Sequence, residues 1–164
     1  MVLVGPPGSG KSTVGRIVSE RCNVPFRDTD ADVEAAVGKS VMDIFVEDGE
    51  PHFRRLEREA VARALEEHEG VLALGGGAVV DSDTRSALRG QRVVFLDVGL
   101  AAAAQRVGFN TTRPLLVVNP RAELQRMLTE RRPYYEEVAS AVIATDERDP
   151  DDVAADIVGL LEPA

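Results

Sequence analysis

A chain of 164 residues with 44% apolar and 29% charged side chains has the length and balance of one folded domain with its own core. A net charge of −9 excludes a surface built for nucleic acid or anionic membranes, and the single Cys22 excludes an internal disulfide, which fits a reducing, cytoplasmic setting. No apolar run is long enough to span a bilayer, and with aromatic residues at 4% the core must be aliphatic.

In chain order, Met1 to Val4 reads as a short strand, and Val14, Ile17, Val18 and Cys22 then recur at helical spacing, which places Cys22 in the core. A weaker strand is predicted at Val24 to Phe26. Ser40 is placed to cap a short helix containing Ile44 and Phe45. Pro51 suits the first position of a helix carrying Phe53, Leu56 and Ala60. Further strands are predicted at Val71 to Leu74, Val93 to Val98 and Ala141 to Ala144. A last helix follows Pro150 with Val153, Ile157 and Leu161 inward. His52 and His68 lack metal-ligand spacing and read as exposed helix residues. Strands alternating with helices predict an α/β fold with a parallel sheet covered on both faces. The segment Phe109 to Pro120 resists regular assignment and is expected to form a lid or binding loop.

The strongest chemical signal is Gly5-Pro6-Pro7-Gly8-Ser9-Gly10-Lys11-Ser12, which fills every fixed position of G-x-x-x-x-G-K-[ST] between a strand and a helix. Glycines let successive N–H groups face phosphate oxygens, and the following helix offers its positive end to the same anion. Lys11 is then expected to reach the β- and γ-phosphates of ATP, and Ser12 to ligate Mg²⁺. Concentrating cations locally matters here, because only Lys11 and Lys39 of the nineteen basic residues are lysine. Arginine, the remainder, suits bidentate recognition of phosphate and carboxylate.

Three further groups lie at predicted strand ends or on a helix face. Asp28-Thr29-Asp30 closes the weak strand: Asp30 either caps the next helix or accepts a proton from a substrate hydroxyl, while Asp28 is placed to hold a Mg²⁺ water. Gly75-Gly76-Gly77 directly follows a strand; a plain turn seldom needs three glycines, so close approach to a ligand is expected. Arg54, Glu57 and Arg58 share one helix face, either as a solvated charged stripe or with Glu57 orienting Arg54 for a substrate carboxylate or hydroxyl.

Taken together, these segments resemble the shikimate kinases over nearly the whole chain. The resemblance rests on Gly5 to Thr13, Asp28-Thr29-Asp30, Ser40 to Phe45, Gly49-Glu50, Phe53-Arg54-Arg55-Leu56-Glu57, Gly75-Gly76-Gly77-Ala78, Thr112-Arg113-Pro114-Leu115-Leu116 and Glu130-Arg131 before Pro133 and Tyr135. It implies a three-layer P-loop NTPase fold of the nucleoside-monophosphate-kinase kind, with five parallel strands in order 2-3-1-4-5 and a lid at about residues 109–120. It implies transfer of the γ-phosphoryl of Mg-ATP to the 3-hydroxyl of shikimate by a monomer. Lys11, Asp30 and Arg113 would be catalytic, and Arg113 would sit in the lid on the phosphates. Gly8, Ser9, Gly10, Lys11, Ser12 and Thr13 would bind the nucleotide, with Arg106 and Arg148 near the adenine. Asp30, Arg54, Gly75, Gly76, Gly77 and Arg131 would bind shikimate, the arginines through its carboxylate. Arg132 follows Arg131 where the family pattern has a neutral residue. The nearest alternatives are a P-loop kinase for another acceptor, such as gluconate or a nucleoside monophosphate, and a nucleotide-binding module without an acceptor site.

Overall fold

The computed structural model describes residues 1–108 and 119–161. Five strands form one parallel sheet: β1 (Val2–Val4), β2 (Phe26–Asp28), β3 (Val71–Ala73), β4 (Val93–Asp97) and β5 (Ala141–Ala144), in the order β2-β3-β1-β4-β5. β1 lies at the centre, with Leu3 opposite Ala73 on one side and Val94 on the other. The helices are α1 (Lys11–Cys22), α2 (Thr29–Val37), α3 (Val41–Asp48), α4 (Glu50–Glu67), α5 (Ser82–Ala87), α6 (Leu100–Val107), α7 (Pro120–Val138) and α8 (Pro150–Gly159), with a 3-10 turn at Ala78–Val80.

Alternation along the strands divides the core into two layers. Val2, Val4, Leu72, Leu74, Val93 and Phe95 point to one face and pack on Val61 and Ala64 of α4 and Tyr135 of α7. Leu3, Val71, Val94, Leu96 and Ile143 point to the other and pack on Val14 and Val18 of α1 and on Val153, Ala154 and Ile157 of α8. Strands buried on both faces read as continuous apolar runs, which is why β1, β3 and β4 are plain in the sequence.

Two smaller clusters lie beyond the sheet. Val33, Ile44 and Phe53 hold α2, α3 and the start of α4 together, with the Phe45 and Phe53 rings 4.7 Å apart. Phe53 is the keystone of this cluster, and Phe→Ala at such a site typically costs about 3–5 kcal/mol. Val98, Ala103, Ala104 and Leu124 join α6 to α7.

Several local expectations shift. The second strand is Phe26–Asp28, two residues later than Val24 to Phe26, because the edge pairing runs from Phe26 opposite Val71 to Asp28 opposite Ala73. Pro51 occupies the second position of α4, after Glu50. His68 ends α4 half-buried, with its ring bonded to the Val71 carbonyl, and His52 is half-buried too. Cys22 is half-buried against the α1 layer, and Leu161 packs there from the turn beyond α8. Asn119 and Pro120 belong to the start of α7, where Asn119 Oδ1 accepts from the Ala122 N–H, so the expectation of a loop as far as Pro120 does not hold for these two residues. Residues 109–118, with Arg113, lie outside the described part.

Candidate active site

The phosphate cradle is a loop bent by Gly8 and Gly10, at φ +79° and +89°, a region other residues enter only at a cost. Gly10 caps α1 without any side-chain bond, and no acidic residue stands in the first turn. By contrast Asp28, Ser40, Asp81, Asn119 and Asp149 cap α2, α3, α5, α7 and α8 with side-chain oxygens. The N–H groups at the start of α1 are thus left facing the cleft, the arrangement that binds phosphate. Lys11 folds back across the loop, donating to the Gly5 and Pro6 carbonyls at 2.7 and 3.0 Å.

At the mouth of the cradle the Ser12 hydroxyl donates to Asp28 Oδ2 at 2.6 Å. Two hard oxygen donors this close, beside a phosphate site, fit Mg²⁺, which favours one or two protein oxygens plus phosphate and water. Asp28 also accepts from the Asp30 N–H at 2.9 Å, so Asp28 caps α2 and Asp30 does not. The Asp30 carboxylate is thus not the cap, and Asp30 lines a space of about 450 Å³ with Gly8 to Thr13, Asp28, Gly75 and Gly76. Arg106 and Arg148 close the far end of the same space. Arg106 donates to the Gly8 carbonyl at 3.1 Å and to the Thr145 carbonyl at 2.6 Å. Arg148 donates to the Ala144 carbonyl at 3.3 Å and pairs with Asp156 at 2.8 Å.

The charged face of α4 divides. Arg58 turns away to Asp81 at 2.8 Å. Glu57 is 4% exposed and takes the Arg54 guanidinium at 2.8 Å. Burial raises the Glu57 carboxyl above its ordinary range, while Arg54 pulls it back. A stripe of merely solvated charge is thereby ruled out: a buried glutamate holds Arg54 in place, and the Phe45 and Phe53 rings lie 5.8 and 5.3 Å from its guanidinium carbon. Arg54 and Arg131 line a second cavity of about 520 Å³ with Glu50, Met127 and Tyr134.

The three glycines run from the first space, lined by Gly75 and Gly76, to the Arg54 guanidinium beside Gly77. A Cβ on Gly75 would stand 2.5 Å from Asp30 Oδ1 and 2.7 Å from Glu57 Oε2; one on Gly76 would meet Pro7 at 2.9 Å; one on Gly77 would overlap the Arg54 guanidinium. The glycines therefore make room for the site's own side chains as well as for any ligand. The Tyr135 hydroxyl donates to the Gly76 carbonyl at 2.5 Å, and burial lifts its pKa to about 12, so it stays a donor throughout the neutral range.

Every predicted site residue within the described part borders one of these spaces or belongs to the glycine run. Sequence reasoning missed Thr145 and Tyr135. Thr145 directly follows the last residue of a predicted strand, a position that faces the crevice in open α/β sheets, so that signal was available. Tyr135 is among the residues that carry the resemblance, but its role had no signal, because its partner lies 59 residues away.

A family model described as shikimate kinase matches residues 7–162. A shikimate kinase of Salinispora arenicola is 57% identical over 160 residues, covering 98% of this chain and 96% of that protein. The structure of a shikimate kinase from Acinetobacter baumannii in complex with shikimate superposes with a TM-score of 0.93 at 36% identity, covering 98% of this chain and 90% of that one. A gluconokinase from Sinorhizobium meliloti reaches a TM-score of only 0.55 at 20% identity, covering 98% and 93%, which is a likeness of fold alone. The chain belongs to the shikimate kinase family.

Proposed function

We propose that the residues gathered around Gly75 transfer the γ-phosphoryl of Mg-ATP to the 3-hydroxyl of shikimate, giving shikimate 3-phosphate and ADP. The observation that carries this reading is the convergence of Asp30 and Glu57 on Gly75, with Lys11 and Asp30 lining one space and Arg54 the next.

Arg54, held by Glu57, and Arg131 take the substrate carboxylate, which orients the ring. Asp30 accepts the proton of the 3-hydroxyl as its oxygen bonds to the γ-phosphorus. The bond from that phosphorus to the bridging oxygen of ADP breaks, and ADP leaves. Lys11 and the cradle N–H groups hold the phosphate oxygens in line, because phosphoryl transfer depends mainly on positioning and charge. Ser12 and Asp28 hold the metal, which when bound supplies charge neutralisation on those oxygens. Arg106 and Arg148 border the adenine, and Arg113, which lies outside the described residues, would add its charge to the phosphate set. The chain works as a monomer in the cytoplasm.

The test is release of ADP with shikimate, gluconate or AMP as acceptor, with and without Mg²⁺. The expected result is Mg²⁺-dependent release stimulated by shikimate alone. A rate with shikimate no higher than with ATP by itself overturns the reading; stimulation by gluconate instead would move the acceptor to the nearest alternative.

A further inference from the structure

Arg132, next to Arg131 on α7, does not line either cavity of the site. It forms a fork on Asp97: Nη1 to Oδ1 and Nη2 to Oδ2, each at 2.9 Å. Its Nε donates to Glu136 at 2.8 Å. Asp97 is the last residue of β4, at the crevice end of the sheet. We infer that Arg132 and Asp97 are positioning residues: their pair sets the rotation of α7 about its own axis and so aims Arg131 into the acceptor cavity.

The need for such a tie comes from Pro133, inside α7. Proline has no N–H, so the helix lacks the bond that would reach back to the Thr129 carbonyl, and its ring strains the same turn. The two parts of α7 are therefore joined by a weakened turn next to Arg131. The part after Pro133 is held firmly: Tyr135 stacks on Phe95 at 5.0 Å and donates to Gly76, while Arg85 lies over the Tyr134 ring at 4.4 Å and pairs with Glu137 at 3.1 Å. The part before Pro133 packs through Leu124 on α6, and its charged residues Glu123, Arg126 and Glu130 bond one another. The Arg132 fork ties this part to the sheet. Bidentate guanidinium–carboxylate geometry fixes direction as well as distance. Successive helix residues point about 100° apart, so holding Arg132 on Asp97 fixes the face of α7 from which Arg131 extends, where Arg131 also donates to the Tyr135 hydroxyl.

The same aspartate serves the nucleotide end through its main chain. Its carbonyl accepts from the Thr145 N–H at 2.9 Å and hydroxyl at 3.0 Å, and Thr145 in turn accepts from Arg106. Asp97→Asn spares that carbonyl, so the side-chain change should be felt by the acceptor and not by ATP.

The inference rests on the proposed role of Arg131 at the substrate carboxylate, and the test separates the two. KM for shikimate, KM for ATP, kcat and Tm are measured for Arg131→Ala, Arg132→Gln, Arg132→Lys, Asp97→Asn and the double variant Asp97→Asn/Arg132→Gln. Arg131→Ala should raise KM for shikimate most. Arg132→Gln and Asp97→Asn should each raise it roughly fivefold, the size of effect that contacts outside a site exert on it. KM for ATP and kcat at saturation should stay within about twofold, and the double variant should be no worse than either single, because both remove one interaction. Arg132→Lys, which keeps the charge, should lie closer to wild type than Arg132→Gln. An unchanged KM for shikimate in the pair variants, with Arg131→Ala impaired, overturns the positioning role alone. Additive effects, or loss of kcat and both KM values together with Tm, overturn it in favour of a pair that merely holds the fold. An unimpaired Arg131→Ala overturns the carboxylate reading and this inference with it.

Discussion

The two ends of the cleft are built in opposite ways. The phosphate end is a contiguous loop, Gly5 to Thr13, whose ligands are largely backbone N–H groups set by glycine conformation and the start of α1. The proposed acceptor end draws on side chains of α2, α4 and α7, with Asp30 lining the first space and Arg54 and Arg131 the second, spread over 101 positions of sequence. A loop-built site needs only local geometry, whereas a side-chain site needs each helix at the right rotation. The first should therefore fail through loss of a single charge, and the second through small displacements.

The largest expected effect lies at the phosphate end. Lys11→Ala should lower kcat by about 10³-fold or more, since it removes the cradle's lysine from the developing charge, with far-ultraviolet circular dichroism unchanged. A folded variant with near-normal kcat would mean that backbone N–H groups alone suffice there, and the contrast with the acceptor end would sharpen.

A smaller effect is expected where the two ends meet. In Gly75→Ala the new Cβ would crowd Asp30 Oδ1 at 2.5 Å and Glu57 Oε2 at 2.7 Å, so both carboxylates must move. Because a displacement on the order of 1 Å can cost about 100-fold in rate, kcat should fall by about 10- to 100-fold while Tm changes little. Wild-type kcat would show that the acceptor end tolerates displacement, which breaks the comparison.

The smallest effect is a pH dependence confined to the acceptor end. Burial raises Glu57 above the ordinary 4.5 of a glutamate. The folded state therefore holds this proton more tightly than the unfolded state, so ionising Glu57 costs stability as pH rises through the window between the two values, and below 4.5 the cost is gone. Binding runs the other way, because only the carboxylate pairs with Arg54. As pH falls through the raised value, KM for shikimate should climb, while KM for ATP stays flat. The measurement is KM against pH for wild type and Glu57→Gln, kept above the substrate's own carboxylate range. In Glu57→Gln the KM should be uniformly higher and lose this limb; an acid limb identical to wild type would take Glu57 out of the site.

The sequence by itself determined the phosphate cradle, the parallel α/β class and most strand positions. Cradle residues are adjacent, so their spacing alone states the geometry, and strands buried on both faces announce themselves as apolar runs. Edge strand β2 was misplaced because Phe26, Arg27 and Asp28 are each only half-buried and leave no such run. Tertiary structure alone decided three matters. It made Asp28 rather than Asp30 the cap of α2, a choice between two acidic residues two positions apart that composition leaves open. It separated Glu57 from Arg58 on one helix face, since only packing against α2 and the glycine run buries one and exposes the other. It gave adjacent Arg131 and Arg132 different surroundings, because the partner that fixes Arg132 is Asp97, 35 residues away on the sheet. Each was hidden for the same reason: a side chain's direction depends on how its helix is rotated against neighbours distant in sequence, and that rotation is a property of packing.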